Sequence, residues 1–183
     1  MIRIEQVGLN GKAMKNKKPL LIGILITLLF VFFINGILQY FLLKSFGVTV
    51  DEITFSGAGL TSFFSIDREN NIYFNTLLIF SKLLISISFL ELGILLLSKF
   101  SIGNYRFATI TSILSLLGYL ILTFFYGVLS SLVSETSNSS FSKMLHLLEL
   151  EGNQNLALMF FLLIIFVGYL HFVQKRVLQY LQS

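Results

Sequence analysis

Charged side chains are scarce in this sequence, and cysteine and tryptophan are absent. Only 12% of the 183 residues are charged, whereas a soluble domain usually keeps about a quarter. Hydrophobic residues make up 55% of the chain, phenylalanine occurs 20 times, and the mean hydropathy is +0.85. Such a chain has too few polar groups to cover a globule in water. The composition therefore predicts a protein that is surrounded by lipid.

The absence of cysteine narrows the classes of function. It excludes a disulfide-bonded ectodomain, a lipid anchor attached at cysteine, thiol exchange with quinones and a cysteine-ligated metal. Proline occurs once, at Pro19, where it suits the first position of a helix because its missing N–H is no loss there.

Four apolar runs are long enough to cross a membrane core of ~30 Å, which needs about 20 helical residues. They predict spans at 19–43, 73–98, 107–133 and 156–174, joined by outer loops at 44–72 and 134–155. In lipid the backbone must bond within each segment, so the runs are helices. The first run is too long for a cleaved signal peptide. We expect one all-α domain over residues 1–183, a bundle of four transmembrane helices.

The distribution of lysine and arginine predicts the orientation of the bundle, because basic residues favour the cytoplasmic side. Nine of them would share one side of the membrane: Arg3, Lys12, Lys15, Lys17, Lys18, Lys99, Arg106, Lys175 and Arg176. The opposite side would have three: Lys44, Arg68 and Lys143. Both termini are therefore predicted in the cytoplasm. The bias toward Ile, Phe, Lys and Asn further indicates a bacterial cell membrane.

The two outer loops contain the candidate recognition segments. Residues 48–55 alternate between apolar and polar side chains, which fits a short strand or an extended arm, and Gly57 and Gly59 indicate a turn. This loop is either a ligand-binding cap or a plain connector. In the second loop a polar link at 134–140 precedes four apolar residues at helical spacing, which predict a short amphipathic helix in the interface plane. The four form a candidate partner-binding ridge: Phe141, Met144, Leu145 and Leu148.

Ionisable residues inside a span cost ~2.5–3.5 kcal/mol on insertion and are functional candidates. Span two has two of them, Lys82 and Glu91, which lie nine residues apart and so on opposite faces of the helix, ~13 Å from each other. Lys82 is expected to extend toward the outer edge. Span one offers Asn35 and Gln39 as its partners at similar depth. Lys82 and Asn35 are therefore a candidate polar site.

Glu91 is too deep for its short side chain to reach bulk water, so it needs partners. Span four brings His171 near its level, and Ser115 of span three completes a predicted cluster of Glu91, Ser115 and His171. The cluster is either a packing clasp or a proton- or cation-coupling site. One carboxylate and one histidine are too few for a metal. No catalytic set is discernible and no cofactor is predicted.

Span three has a stripe of small and hydroxyl-bearing residues at helical spacing, which favours close helix packing. The stripe comprises Ala108, Thr111, Ser112, Ser115 and Gly118. We therefore expect Ile113 and Leu120, on other faces, to point toward lipid.

Three features surround the link between spans two and three: Leu97-Ser98-Lys99-Phe100, the tight Gly103-Asn104-Tyr105-Arg106-Phe107 link and the Thr- and Ser-rich helix that follows. Together they resemble Yip1-domain membrane proteins. It covers about 40 residues, and the fifth span and mid-span proline usual in that family are missing. It implies a non-catalytic helper of membrane traffic or of an export system.

These patterns predict a non-enzymatic accessory or regulatory subunit of a membrane complex, such as an ABC-type exporter, or a self-immunity factor. The alternative is a small oligomeric transporter or channel subunit coupled through Glu91. The expected partners are membrane lipids and a larger membrane protein. No nucleic acid partner is predicted, because the basic N-terminal segment is explained by topology or by anionic lipid.

Overall fold

A computed structural model describes residues 17–56, 59–64, 71–99, 104–133, 139–150 and 152–182. Four of its helices are long and apolar enough to cross a membrane: Lys18–Ser45, Ser81–Lys99, Tyr105–Val133 and Asn153–Tyr180. They confirm the four predicted spans. The full order is α1 (Lys18–Leu29), a π-helical stretch (Phe30–Ile34), α2 (Asn35–Ser45), β1 (Val50–Ser56), β2 (Gly59–Phe64), α3 (Ile72–Ile79), α4 (Ser81–Lys99), α5 (Asn104–Val133), α6 (Ser140–Leu148) and α7 (Asn153–Gln182).

Span two is shorter than predicted, because the helix breaks at Phe80. Asn71 caps α3 by accepting the Tyr73 N–H at 2.9 Å, and the first break in helical geometry comes at Phe80, with φ −91° and ψ 6°. The Phe80 ring meets the Phe141 ring of α6 edge-on, with centroids 5.1 Å apart. Neither proline nor glycine marks this break. It lets α3 pack against α6 while α4 continues as the span.

The first outer loop forms a β-hairpin. This confirms the short strand that was one of the two alternatives for residues 48–55, and the prediction of an all-α fold is wrong for this segment. Strands β1 and β2 pair antiparallel, with Ser56 opposite Gly59 at the closed end and a bulge between Val50 and Glu52. Gly47, with φ +74°, follows α2 and allows the chain to turn back. The hairpin therefore runs alongside α2. We call the end of the bundle that carries the hairpin and α6 the hairpin end, and the opposite one the tail end.

The main core lies among α4, α5, α6 and α7, with the π-helical stretch at its edge. Phe30 of that stretch stacks on Phe89 of α4, with centroids 3.9 Å apart. Phe124 of α5 stacks on Phe166 of α7 at 4.0 Å. A separate small cluster of Leu43, Phe64 and Leu78 joins α2, β2 and α3 at the hairpin end.

The small-residue stripe of span three is partly in contact with a neighbouring helix, and that helix is α1. A Cβ atom added at Gly23 would lie 2.5 Å from the Ala108 carbonyl oxygen and 2.8 Å from the Thr111 Cβ, so the backbones are in close contact. The Thr27 hydroxyl lies 3.1 Å from the Ser112 hydroxyl. The first half of the stripe therefore forms a helix contact of the type that small residues permit.

The second half of the stripe does not behave as predicted. A Cβ atom added at Gly118 would meet no atom within 4 Å, and Ser115 is half-buried. Ile113 and Leu120, expected to face lipid, are 2% and 0% exposed. That expectation is wrong because α5 packs on α1 with one side and contributes to the main core with another.

Candidate functional site

The two ionisable residues of span two lie at different levels of α4, and each is bonded to another element of the fold. Lys82 lies in the first turn of α4, at the hairpin end, and Glu91 lies near its middle. Lys82 and Glu91 therefore belong to two separate polar sites, one between α4 and the hairpin and one between α4 and α7.

The Lys82 site joins the hairpin to span two. The Lys82 ammonium donates to the Leu60 carbonyl oxygen at 3.2 Å and to the Thr61 hydroxyl at 2.9 Å. Both acceptors belong to β2, so the ammonium fastens the hairpin to α4. The sequence predicted a side chain that extends along lipid toward water. The contact with β2 was missed because it joins residues 21 and 22 positions apart, which no local pattern encodes.

Asn35 and Gln39 were the predicted partners of Lys82. Their side chains bond instead to serines of α4, the helix that carries Lys82. The Asn35 amide donates to the Ser86 hydroxyl at 2.8 Å, and that hydroxyl donates to the Lys82 carbonyl oxygen at 3.0 Å. The Gln39 amide donates to the Ser81 hydroxyl at 3.2 Å. Both amides are almost fully buried. The predicted pairing of Lys82 with Asn35 is thus replaced by a hydrogen-bonded seam between spans one and two, formed on α4 by Ser81, next to Lys82, and by Ser86, one turn further along.

The Glu91 site joins span two to span four. The Arg176 guanidinium forms an ion pair with Glu91 Oε2, and the Tyr169 hydroxyl donates to Glu91 Oε1 at 3.0 Å. The side chains of Arg176 and Glu91 are 22% and 30% exposed. Arg176 also lies over the Phe172 ring, 5.2 Å from its centroid. Both carboxylate oxygens therefore have a partner on α7, so this site joins spans two and four.

The partners that the structure gives Glu91 are Tyr169 and Arg176, not the predicted Ser115 and His171. His171 lies on the exposed side of α7, and Ser115 is half-buried on α5. His171 follows Tyr169 by two residues, which turns its side chain ~200° around the helix axis. Tyr169 and Arg176 are seven residues apart and share a face. Arg176 was not predicted as a partner of Glu91, because span four was predicted to end at 174 and this residue fell in the tail beyond it.

The predicted partner-binding ridge is part of the interior. Phe141, Met144 and Leu145 are 4%, 4% and 7% exposed, and Leu148 is half-buried. A Cβ atom added at Gly127 of α5 would lie 2.5 Å from the Phe141 ring, so α6 fits closely against span three. The prediction of an exposed ridge is wrong because α3 and α5 cover it. The polar link at 134–138 lies outside the described residues.

Lys143 connects α6 to the hairpin. Its ammonium lies over the rings of Phe63 and Phe64, 5.7 and 5.4 Å from their centroids. Burial lowers the pKa of Lys143, and the Asp51 carboxylate opposes part of that change. A cation over two aromatic faces is an attractive contact. The α6 helix is therefore joined to β2 as well as to span three.

Comparison with protein-family models, with characterised proteins and with solved structures finds no match. The resemblance to Yip1-domain proteins therefore stays a prediction. Within the described ranges, no three His, Asp or Glu side chains are grouped so that they could hold a metal ion.

Proposed function

We propose that this chain is a non-enzymatic subunit of a bacterial membrane complex and acts through contacts with a larger membrane protein, such as an ABC-type exporter. The observation that supports this is that Lys82 and Glu91 both bond within the chain. Each of these residues bonds to another element of the same chain, Lys82 to β2 and Glu91 to α7. The ionisable groups of span two thus stabilise the fold, and the activity lies in what the surface of the bundle binds.

Span four is the surface we propose for this contact, because the apolar residues of α6 are buried. Only 17% of the most apolar stretch of this span is buried inside the protein, against 28% to 33% of the corresponding stretches in the other spans. Three of its large side chains, Phe160, Phe161 and Ile164, are 59% to 67% exposed. Aromatic side chains supply large contact areas at helix interfaces. A self-immunity factor would use such a surface in the same way.

The alternative, a small transporter coupled through Glu91, has less support. A coupling carboxylate must exchange its partner during transport. Glu91 is bonded at both oxygens, to Arg176 and to Tyr169.

Cysteine labelling tests the proposed orientation, because the chain has no cysteine of its own. Glu52→Cys and Glu149→Cys are exposed positions at the hairpin end and should react with an impermeant maleimide in intact cells. Lys175→Cys, exposed at the tail end, should react only after the cells are opened. Labelling of Lys175→Cys in intact cells would contradict cytoplasmic termini.

Co-purification in mild detergent tests the proposed partner. The wild type should elute with a larger membrane protein, and Phe161→Ala with Ile164→Ala should reduce that protein at least fivefold. The control is Leu122→Ala with Leu129→Ala, two residues of span three that are 72% and 58% exposed. It removes comparable apolar bulk from another lipid-facing surface and should keep the partner.

A wild-type chain that elutes alone would contradict the proposed complex. Equal loss of the partner in both double variants would contradict span four as the contact. Ion or solute flux through vesicles of the purified chain, abolished by Glu91→Gln, would favour the transporter instead.

A further inference from the structure

A groove of about 540 Å³ lies between α3 and α4 on one side and α7 on the other. Its floor is formed by aromatic side chains of the core, Phe124 and Phe166, together with Phe141 of α6. Its rim includes Leu84 and Ile165, which are 43% and 53% exposed. The groove therefore opens sideways, on the surface that the spans present to lipid.

Side chains that contact one another bound the groove at each end. At one end α4 and α7 are joined through Glu91, Tyr169 and Arg176, and Tyr169 also lines the groove. At the other end the Phe141 ring stands between Phe80 and Phe124, 5.1 Å from each. Spans two and four are therefore joined toward the tail end and held apart toward the hairpin end.

The lining is suited to hydrocarbon. Three of its side chains carry a hydroxyl, those of Tyr73, Thr76 and Tyr169. The Thr76 hydroxyl donates to the Ile72 carbonyl oxygen at 2.8 Å, and the Tyr169 hydroxyl donates to Glu91. Tyr73, 81% exposed, stands at the hairpin end, and tyrosine rings favour the headgroup level.

The volume of the groove indicates what can fill it. A methylene is close in size to a water molecule, whose share of the liquid is ~30 Å³, so the groove has room for roughly 18 methylenes. That is one fatty acyl chain. The groove opens on the surface that faces lipid, so an acyl chain can enter it sideways from the membrane.

We propose that this groove is a binding site for one hydrocarbon chain of a membrane lipid, with the headgroup beside Tyr73 and the chain end near Tyr169. The site is independent of the protein partner proposed above. A bound chain fills the gap between spans two and four and is held longer than lipid on the open faces of the bundle.

Photo-crosslinking tests the site. The purified chain is reconstituted in phosphatidylcholine vesicles that contain a small fraction of phosphatidylcholine with a photoactivatable group at the end of one acyl chain. After illumination, labelled peptides are located by mass spectrometry. Groove residues near the proposed chain end, such as Ile87, Phe166 and Tyr169, should be labelled at least fivefold more than Leu122, an exposed residue of span three.

Two variants and one matched control sharpen this experiment. Ile165→Trp and Leu84→Trp fill the groove from opposite walls and should each lower the groove label at least fivefold. Val167→Trp is a comparable change two residues away, at a position 49% exposed and outside the groove, and should leave the label unchanged. Because the groove variants act from different helices, a folding defect in one leaves the other as a test.

Even labelling of all exposed apolar residues would overturn the site and leave ordinary boundary lipid. Unchanged groove labelling in both tryptophan variants would overturn it as well. The same holds if, in native membranes, a photoreactive residue at Leu84 captures a transmembrane polypeptide rather than lipid.

Discussion

Arg176→Leu is expected to destabilise the chain by roughly 3 kcal/mol, because it leaves the Glu91 carboxylate between α4 and α7 without its cation. Fully buried pairs lose ~3–5 kcal/mol when one partner is removed, and the partial exposure of this pair places it at the lower end. The free energy of unfolding in detergent measures the effect. Lys175→Leu, the exposed neighbour on the same helix, is the matched control and should change it by less than ~0.5 kcal/mol.

The double variant Glu91→Leu with Arg176→Leu separates a clamp from two independent residues. Removing both charges leaves no unpaired group, so most of the lost stability should return and the double-mutant cycle should give a coupling of at least ~1.5 kcal/mol. Additive losses would mean that the pair does not hold α4 and α7 together. Full stability of Arg176→Leu would contradict the clamp directly.

The spans were predictable from sequence because length and hydropathy are properties of a local segment. The break at Phe80 was not, because neither proline nor glycine lies there and the Phe80 ring contacts α6, some sixty residues away. Span four is longer than predicted: α7 runs to Gln182, so Arg176 lies in a helix and not in the predicted tail. Because span four was predicted to end at 174, the cation that pairs with Glu91 was not predicted.

The interior of the bundle was less predictable than its spans. A stripe of small residues indicates where a helix can be approached closely, but it does not say by which neighbour. Ala108 and Ser112 meet α1, whereas Gly118 on the same stripe has open space beside it. The apolar spacing of residues 141–148 likewise predicted a helix, but it did not indicate that α3 and α5 cover its apolar face.

The depth of the hairpin in the membrane restricts how its backbone can be packed. Helix rise places Phe32 ~20 Å from Lys18, about two thirds of the way across a core of ~30 Å. Gly59, at the closed end of the hairpin, contacts Val31 and Phe32 at this level. Non-helical backbone at such depth is tolerated only where protein covers it. We therefore expect the docking of the hairpin on span one to be close and sensitive to added volume.

Gly36→Ala is expected to undock the hairpin and to lower the free energy of unfolding by about 2–3 kcal/mol, at the upper end of the usual cost of overpacking. The added Cβ atom would lie 2.3 Å from the Leu60 carbonyl oxygen and 2.6 Å from the Leu60 Cβ, so β2 must move. That movement also draws the Leu60 and Thr61 acceptors away from Lys82. Gly118→Ala, with nothing within 4 Å of the new Cβ, is the control and should be neutral or stabilise by up to ~1 kcal/mol through helix propensity.

A buried reporter distinguishes undocking from a general loss of stability. Ser62 of β2 is 3% exposed, so Ser62→Cys should react slowly with a maleimide while the hairpin is docked. In the Gly36→Ala background the reaction should be at least tenfold faster at a temperature where the spans stay folded. In the Gly118→Ala background it should stay slow. Equal protection in both backgrounds would mean that the hairpin does not depend on close contact between Gly36 and Leu60.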